Sequence, residues 1–454
     1  MKRAWLFVAS TCAAAACHVD EAAEVGLYRE VLERGMCERD LQPLAVGERV
    51  DVRRAMLLAN ARSEALSIGG EALLRACIDR RRIAAEWLPR IELSPSYFAR
   101  DAGGGVDDGL DIPLTASLDS NPRAQLVDGA RADLEVARQR ALLFMTQDAL
   151  LVDVARTLYE VLRAETSARV LRGSLAVQEA RVDDARARRD VGFARPLDVS
   201  LSESSLADVR VALLAEERDA RAGRALLSAL VSVPMELAEL DAALDPTPAV
   251  RAGTEGLERA REMRPDLAAA RIGVEIAARG VERAGAQWWP SIALDLAAFL
   301  ERDSTPTDQD WRALFDVRLP LFSGGRIRAD VREALSELRE AKLRLAQSER
   351  DVRRDLEVAL ANLESGERRS AALALQLSVA REASAQAEDL YSAGLATNLE
   401  RLTAQDDALR VELEYQSALL ERNVSQIDLW RAAGVLHEWL GLQRTLEEHD
   451  AAPR

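Results

Sequence analysis

The sequence predicts a mainly α-helical protein with a small β part: long antiparallel helical hairpins in two structural repeats, plus four short β-strands. Three observations predict it. Hydrophobic residues make up 48% of the 454 residues and charged ones 30%, yet aromatics only 4%. Core volume must then come from small and aliphatic side chains along helix seams. Two proline-free stretches, Pro122 to Gly192 and Gly325 to Gly394, each have room for a helix of roughly 100 Å at about 1.5 Å per residue. Landmarks also recur: Pro89 stands against Pro290 at an offset of 201, and Gly192 against Gly394 at an offset of 202.

The N-terminus reads as an export signal. "MKR" and then "AWLFVASTCAAAA" form a basic n-region, a short apolar h-region and a small-residue cleavage zone within residues 1–16. The apolar run is too short to span a membrane. "AAAC" at 14–17 has the pattern of a lipobox, with Ala14 where leucine is usual; Cys17 would then be acylated and head the mature chain. The other reading is an ordinary signal peptide, with Cys17 removed or free. Loss of Lys2 and Arg3 takes the formal charge from −16 to −18. That acidity disfavours nucleic acid as a partner. Cys37 and Cys77 would remain in an oxidising compartment, where disulfides form, although sequence alone does not fix the Cα distance a bridge needs.

Four segments alternate with period two. Ile91, Leu93, Pro95, Tyr97 and Ala99 share one face, and after the turn "DAGGGVDDG" come Ile112, Leu114, Ala116 and Leu118. In the second half Ile292, Leu294, Leu296, Ala298 and Leu300 alternate with polar residues, and Trp311, Ala313, Phe315, Val317 and Leu319 follow after "RDSTPTDQ". The predicted hairpins cover 88–119 and 290–321. Each segment runs about nine to eleven residues, the length of a tilted transmembrane strand. Charges fill the opposite face of three strands, which suits a water-filled lumen better than a packed interior. The plainer reading is two hairpins lying on a soluble helical core. Four strands cannot close around water, since that takes roughly eight or more. Their edges must be met by other copies of the chain, and three copies give twelve strands.

The long helices turn at short tips, Val191-Gly192-Phe193-Ala194 and Ala393-Gly394-Leu395-Ala396. Glycine suits such a turn because it tolerates positive φ. Residues 232–263, with three prolines in 232–256, interrupt the helical pattern and read as a side structure and linker. Trp87 and Trp289 precede the strands and Trp311 lies at the far end of the fourth, the placement of interfacial aromatic belts; Trp288 reads equally well as packing below the rim. Only three histidines occur, His18, His437 and His449, and there is no CxxC, HExxH, GxSxG or phosphate-binding glycine loop. No catalytic or metal-ligating set and no cofactor is expected, so the chain does not read as an enzyme.

"RPDLAAARIGVEIAARGVERAGAQWWPSI" (264–292), "VRLPLFSGGRIRADV" (317–331), "DVGFARPLDV" and "YSAGLATNLERL" together resemble the outer membrane efflux protein family, the TolC-like outer membrane factors, over roughly residues 44–440. The resemblance implies a homotrimer. Its 12-stranded barrel would lie in outer-membrane lipid, and its α-helical tunnel would cross the periplasm as a coiled coil to a periplasmic adaptor and an inner-membrane pump. The duct would be passive. Residues 17–43 would be an N-terminal periplasmic segment, 44–231 the first repeat, 232–263 an equatorial segment, 264–440 the second repeat and 441–454 a tail.

The resemblance also implies that 191–194 and 393–396 dock adaptor hairpins. It places a constriction at the tips, with Tyr391 donating to Asp198 and Glu400 forming an acidic ring once per copy. Two positions depart from the family's pattern: Ala396 stands at the gate arginine, and Thr403 at a second acidic ring. The competing reading is a periplasmic coiled-coil scaffold or adaptor without a pore. The strand pairs and the duplication argue against it.

Overall fold

Prolines set the starts of three long helices, because proline at the first helical position loses no backbone hydrogen bond and already has a helical φ. In the computed structural model, Pro122, Pro196 and Pro265 open α5 (Pro122–Asp190), α6 (Pro196–Val231) and α8 (Pro265–Ala286). The remaining helices are α1 (Glu21–Glu33), α2 (Glu38–Leu41), α3 (Val52–Arg62), α4 (Glu64–Ala85), α7 (Thr254–Met263), α9 (Arg326–Ser392), α10 (Asn398–Ala432) and α11 (Leu436–Leu440). The structure describes residues 20–42, 44, 47–101, 106–236, 238–245, 254–303 and 310–444. The export signal and Cys17 lie outside the described residues.

Helix lengths repeat between the halves. Both α4 and α8 have 22 residues, α5 and α9 have 69 and 67, and α6 and α10 have 36 and 35. At 1.5 Å per residue the longest helices extend about 100 Å. None of the described helices is long and apolar enough to cross a membrane.

The strands are β1 (Arg49–Val50), β2 (Arg90–Leu93), β3 (Ser96–Asp101), β4 (Val106–Ser120), β5 (Glu239–Leu240), β6 (Ser291–Arg302) and β7 (Trp311–Arg318). Short β1 and β5 pair in parallel, which puts one strand of structure in the 232–263 segment, followed by α7. All the others form one antiparallel sheet in the order β2–β4–β6–β7, with β3 also on β4. Sequence periodicity predicts one continuous first strand; the structure divides it at Ser94-Pro95, since proline cannot donate to the ladder. The Ser94 N–H still reaches the Pro113 carbonyl at 3.2 Å, so β2 and β3 extend along one edge of β4.

Register aligns the side chains in rows. Ile91, Ala116, Leu296 and Ala313 form one row, and Leu93, Leu114, Ala298 and Trp311 the next. On the opposite face Glu92, Thr115, Ala297 and Arg312 align, as do Arg90, Ser117, Asp295 and Leu314. The first face is apolar and exposed at Ile91, Leu93, Leu114, Leu296, Phe315 and Val317. Ala293, Ala297, Phe299 and Leu314 are apolar residues on the charged face.

The main core lies where α1, α3, α4, α5, α6 and α10 meet, around Met56, Leu57, Leu151, Leu158, Leu227 and Trp430. A second cluster, Ala168, Leu171, Val209 and Leu213 with Leu409 and Leu413, joins α5, α6 and α10 further toward the tips. Small side chains let these helices approach closely, as the aromatic-poor composition requires. Cys37 and Cys77 are both free thiols, and the Cys37 Sγ donates to Asp40 Oδ2 at 2.9 Å.

Candidate functional site

Both hairpin tips are built the same way. Gly192 takes φ +81° and Gly394 φ +75°, conformations that a Cβ disfavours. The Phe193 N–H then donates back to the Arg188 carbonyl, and the Leu395 N–H to the Leu390 carbonyl, at 2.8 Å each. These bonds satisfy carbonyls left over at the helix ends. The turns lift Phe193 (85% exposed) and Leu395 (77%) into solvent, with Val191, Leu197 and Leu399 beside them also exposed. Phe193 and Leu395, like Leu197 and Leu399, are one repeat apart. The result is a duplicated, exposed apolar surface.

Asp198 and Glu400, also one repeat apart, each sit at the third position of the returning helix. The Arg195 N–H donates to Asp198 Oδ2 at 2.9 Å, and the Thr397 N–H donates to Glu400 Oε2 at 2.7 Å, with the Thr397 hydroxyl adding 2.8 Å. Thr397 Oγ1 accepts in return from the Glu400 N–H at 3.2 Å. This reciprocal arrangement is a capping box, legible in "TNLE" (397–400) but not anticipated from the sequence. Arg195's side-chain hydrogen bonds hold the Asp198 carboxyl below its usual range. The Thr397 backbone bond, followed by its hydroxyl, does so for Glu400.

Within one chain the Asp198 carboxylate is held by Arg195, through N, Nε and Nη2. Two guanidinium groups lie over the Tyr391 ring, Arg401 at 4.0 Å and Arg188 at 5.0 Å from its centroid. Asp198 and Tyr391 are nevertheless connected. Asn398 Nδ2 donates to the Asp198 main-chain carbonyl at 3.1 Å and to Ser202 Oγ at 3.3 Å. Arg401 Nη2 donates to Asn398 Oδ1 at 2.8 Å, and its plane covers Tyr391. Arg401 Nη1 also reaches Glu388 Oε1 at 3.4 Å, while Glu388 Oε2 accepts from Gln405 at 2.8 Å and Arg181 at 3.2 Å. Asn398, Arg401 and Ser202 are buried. Sequence reading missed Asn398, Arg401 and Glu388, since polar residues on a long helix ordinarily face water.

At the other end, Trp87 and Trp289 are exposed just before β2 and β6, and Trp311 is exposed opposite Ala298 in β7. Nine residues of strand separate Trp289 from Ala298, roughly 30 Å if untilted. Among the described residues no group of three or more His, Cys, Asp or Glu could hold a metal ion.

The chain thus combines an open antiparallel sheet with two very long helical hairpins whose duplicated tips are apolar and exposed. The family model for outer membrane efflux proteins matches residues 256–435. The outer membrane efflux protein BepC of Brucella suis biovar 1 is 26% identical over 369 residues, covering 78% of this chain and 79% of that protein. The outer membrane protein TolC of Vibrio cholerae is 23% identical, covering 77% and 83%. In fold, the chain resembles the CmeC outer membrane channel of Campylobacter jejuni, with a TM-score of 0.77 at 13% identity over 85% and 86% of the two chains. It also resembles the MtrE outer membrane channel of Neisseria gonorrhoeae, at 0.74 and 20% over 85% and 89%. The similarities thus all point one way, to outer membrane efflux proteins in sequence and to outer-membrane channels in fold.

Proposed function

We propose that three copies of this chain assemble into an outer-membrane exit duct, a passive conduit for substrates handed over by an inner-membrane pump through a periplasmic adaptor. The observation that carries this reading is the four-row sheet with two free edges. The β2–β3 edge and β7 run in opposite directions, because each neighbouring pair between them is antiparallel. One copy's β7 can therefore pair with the next copy's β2–β3 without changing the sheet type. Free edges are not tolerated in hydrocarbon, so closure by copies is the solution that lets the exposed apolar face meet lipid. The charged face then lines water, and the tryptophans fall at two levels suited to an apolar band about 25 Å tall.

In this duct Val191, Gly192, Phe193, Ala194, Ala393, Gly394, Leu395 and Ala396 form the adaptor-docking tips. Asp198, Tyr391 and Glu400 stand at the constriction, and an acylated Cys17 would add a lipid anchor after removal of residues 1–16. Residues 44–231 and 264–440 are the two repeats. The test is fractionation, chemical cross-linking and planar-bilayer recording of the full chain. Detergent-dependent, trimeric, conducting protein from the outer membrane is expected; a salt-extractable soluble monomer would sink the reading.

A further inference from the structure

We propose that the inter-hairpin joint at the tip is carried by Asn398, held in position by Arg401 lying on the face of the Tyr391 ring, with the Tyr391 hydroxyl secondary in holding the tip narrow. This rests on the exit-duct reading above.

The geometry of three side chains supports it. The Asp198 carboxylate already receives three N–H bonds from Arg195, whereas its main-chain carbonyl takes the cross-hairpin bond from Asn398. Asn398 uses both amide hydrogens and its oxygen at once, on Asp198, Ser202 and Arg401, so rotation of its side chain would break all three bonds. Arg401 is 1% exposed. A guanidinium is costly to strip of water unless its N–H groups and flat face are met; Glu388 and Asn398 take Nη1 and Nη2 and Tyr391 the face, while the buried Nε has no hydrogen-bond partner. Cation–π attraction acts on the ring face, which phenylalanine would keep.

The joint is also one-sided. One repeat earlier, at the offset of 202, Asn398 and Arg401 correspond to Pro196 and Val199, neither of which can make these bonds. Among the described residues each chain thus has a single such joint, where α5, α6, α9 and α10 converge through Arg181, Ser202, Glu388 and Asn398. Three copies would set three of them around the constriction. Pulling α10 away from α6 would leave the Asn398 amide without its Asp198 and Ser202 partners until water entered, while Arg401, whose partners lie on α9 and α10, would keep them.

The experiment is single-channel recording of purified trimers with the substitutions Asn398→Ala, Arg401→Met, Arg401→Lys, Tyr391→Leu and Tyr391→Phe, trimer assembly being checked first by cross-linking. Asn398→Ala, Arg401→Met and Tyr391→Leu are expected to raise the open fraction roughly tenfold, the size of one charge-assisted hydrogen bond. Tyr391→Phe should raise it far less than Tyr391→Leu, and Arg401→Lys should recover part of the loss. The inference is overturned if Tyr391→Phe opens the channel as much as Arg401→Met, or if Asn398→Ala and Arg401→Met both gate like the parent. Where Arg401→Met does not assemble, Asn398→Ala against Tyr391→Phe decides the matter. A parent trimer that never conducts would remove the duct reading itself, a result distinct from either outcome at the joint.

Discussion

Arg444 and Asp148, 296 residues apart, form a two-pronged ion pair: Nη2 to Oδ1 at 2.7 Å and Nη1 to Oδ2 at 3.0 Å. Their side chains are only 4% and 10% exposed. The guanidinium also donates to Gln147 and lies 5.1 Å from the Phe144 ring centroid. Beside it, the Gln443 N–H donates to the Arg34 carbonyl at 2.9 Å. The chain beyond α11 therefore straps α1 to α5 and caps the main core. Removing one partner of a buried pair strands the other charge, so Arg444→Ala should cost about 3–5 kcal/mol. Denaturant unfolding of the detergent-solubilised protein measures this, and a loss below about 1 kcal/mol would place the pair with ordinary solvated surface bridges.

The carboxylates at the starts of α6 and α10 make a separate prediction. Thr397→Ala removes an acceptor for the Glu400 N–H and should cost roughly 1 kcal/mol at the start of α10. Both capping carboxyls, Asp198 and Glu400, are held below their usual values. Their contribution is therefore present above the unfolded carboxyl pKa, about 4, and is lost as pH falls through the lower folded values. Amide hydrogen exchange in the first turns of α6 and α10 should accelerate in acid before exchange in the main core does. Simultaneous loss would refute a local origin.

At the tip glycines, an added Cβ would meet nothing within 4 Å at Gly192 or Gly394, so only backbone strain opposes it. Gly394→Ala is expected to cost about 1–2 kcal/mol, and Gly394→Asn less, because asparagine tolerates the left-handed region. Equal costs for Ala and Asn would point to crowding instead.

Much of this architecture was legible in residue order, and the reasons are specific. Proline-free intervals and the 202-residue offset gave α5, α9 and both tips, because helix breakers and glycine act through local φ and through missing donors. Period-two alternation gave the strands for the same local reason. The interruption at Pro95 was visible as a residue type but not as a divided edge, since that depends on how β4 pairs. At the tip, Asp198 and Tyr391 were singled out and do lie in one network, yet its carriers Asn398 and Arg401 were not. Their burial is set by α5 and α6 packing across them, which is tertiary information that no local pattern in 388–405 contains.

Exposed apolar side chains at the tips predict function lost without folding. Phe193 and Leu395 contribute almost nothing to a core, so Phe193→Asp and Leu395→Asp should shift stability by no more than about 0.5 kcal/mol. In a strain that depends on this chain, the double variant should abolish export while outer-membrane trimer levels stay at the parental value. Undiminished export would take the docking surface away from the tips.

His437 supplies the clearest pH signature. It is buried in α11 with its Nδ1 facing no hydrogen-bond partner. Burial, with the nearby Arg444 charge adding to it, pushes the imidazole down to about 4, against the opposing pull of Asp148 and Glu438. An unfolded histidine titrates near 6.5, so as pH falls the unfolded chain takes up the proton first. The stabilisation is complete above about 6.5 and drains away on the way down to about 4, amounting to about 3 kcal/mol at 1.36 kcal/mol per unit. Melting temperature followed across that window should fall in the parent and stay flatter in His437→Gln. Because Arg444 repels the imidazolium, Arg444→Met should raise the folded pKa and shrink the window from its acid end. An identical pH slope in the parent and His437→Gln would assign the acid sensitivity to carboxylates elsewhere.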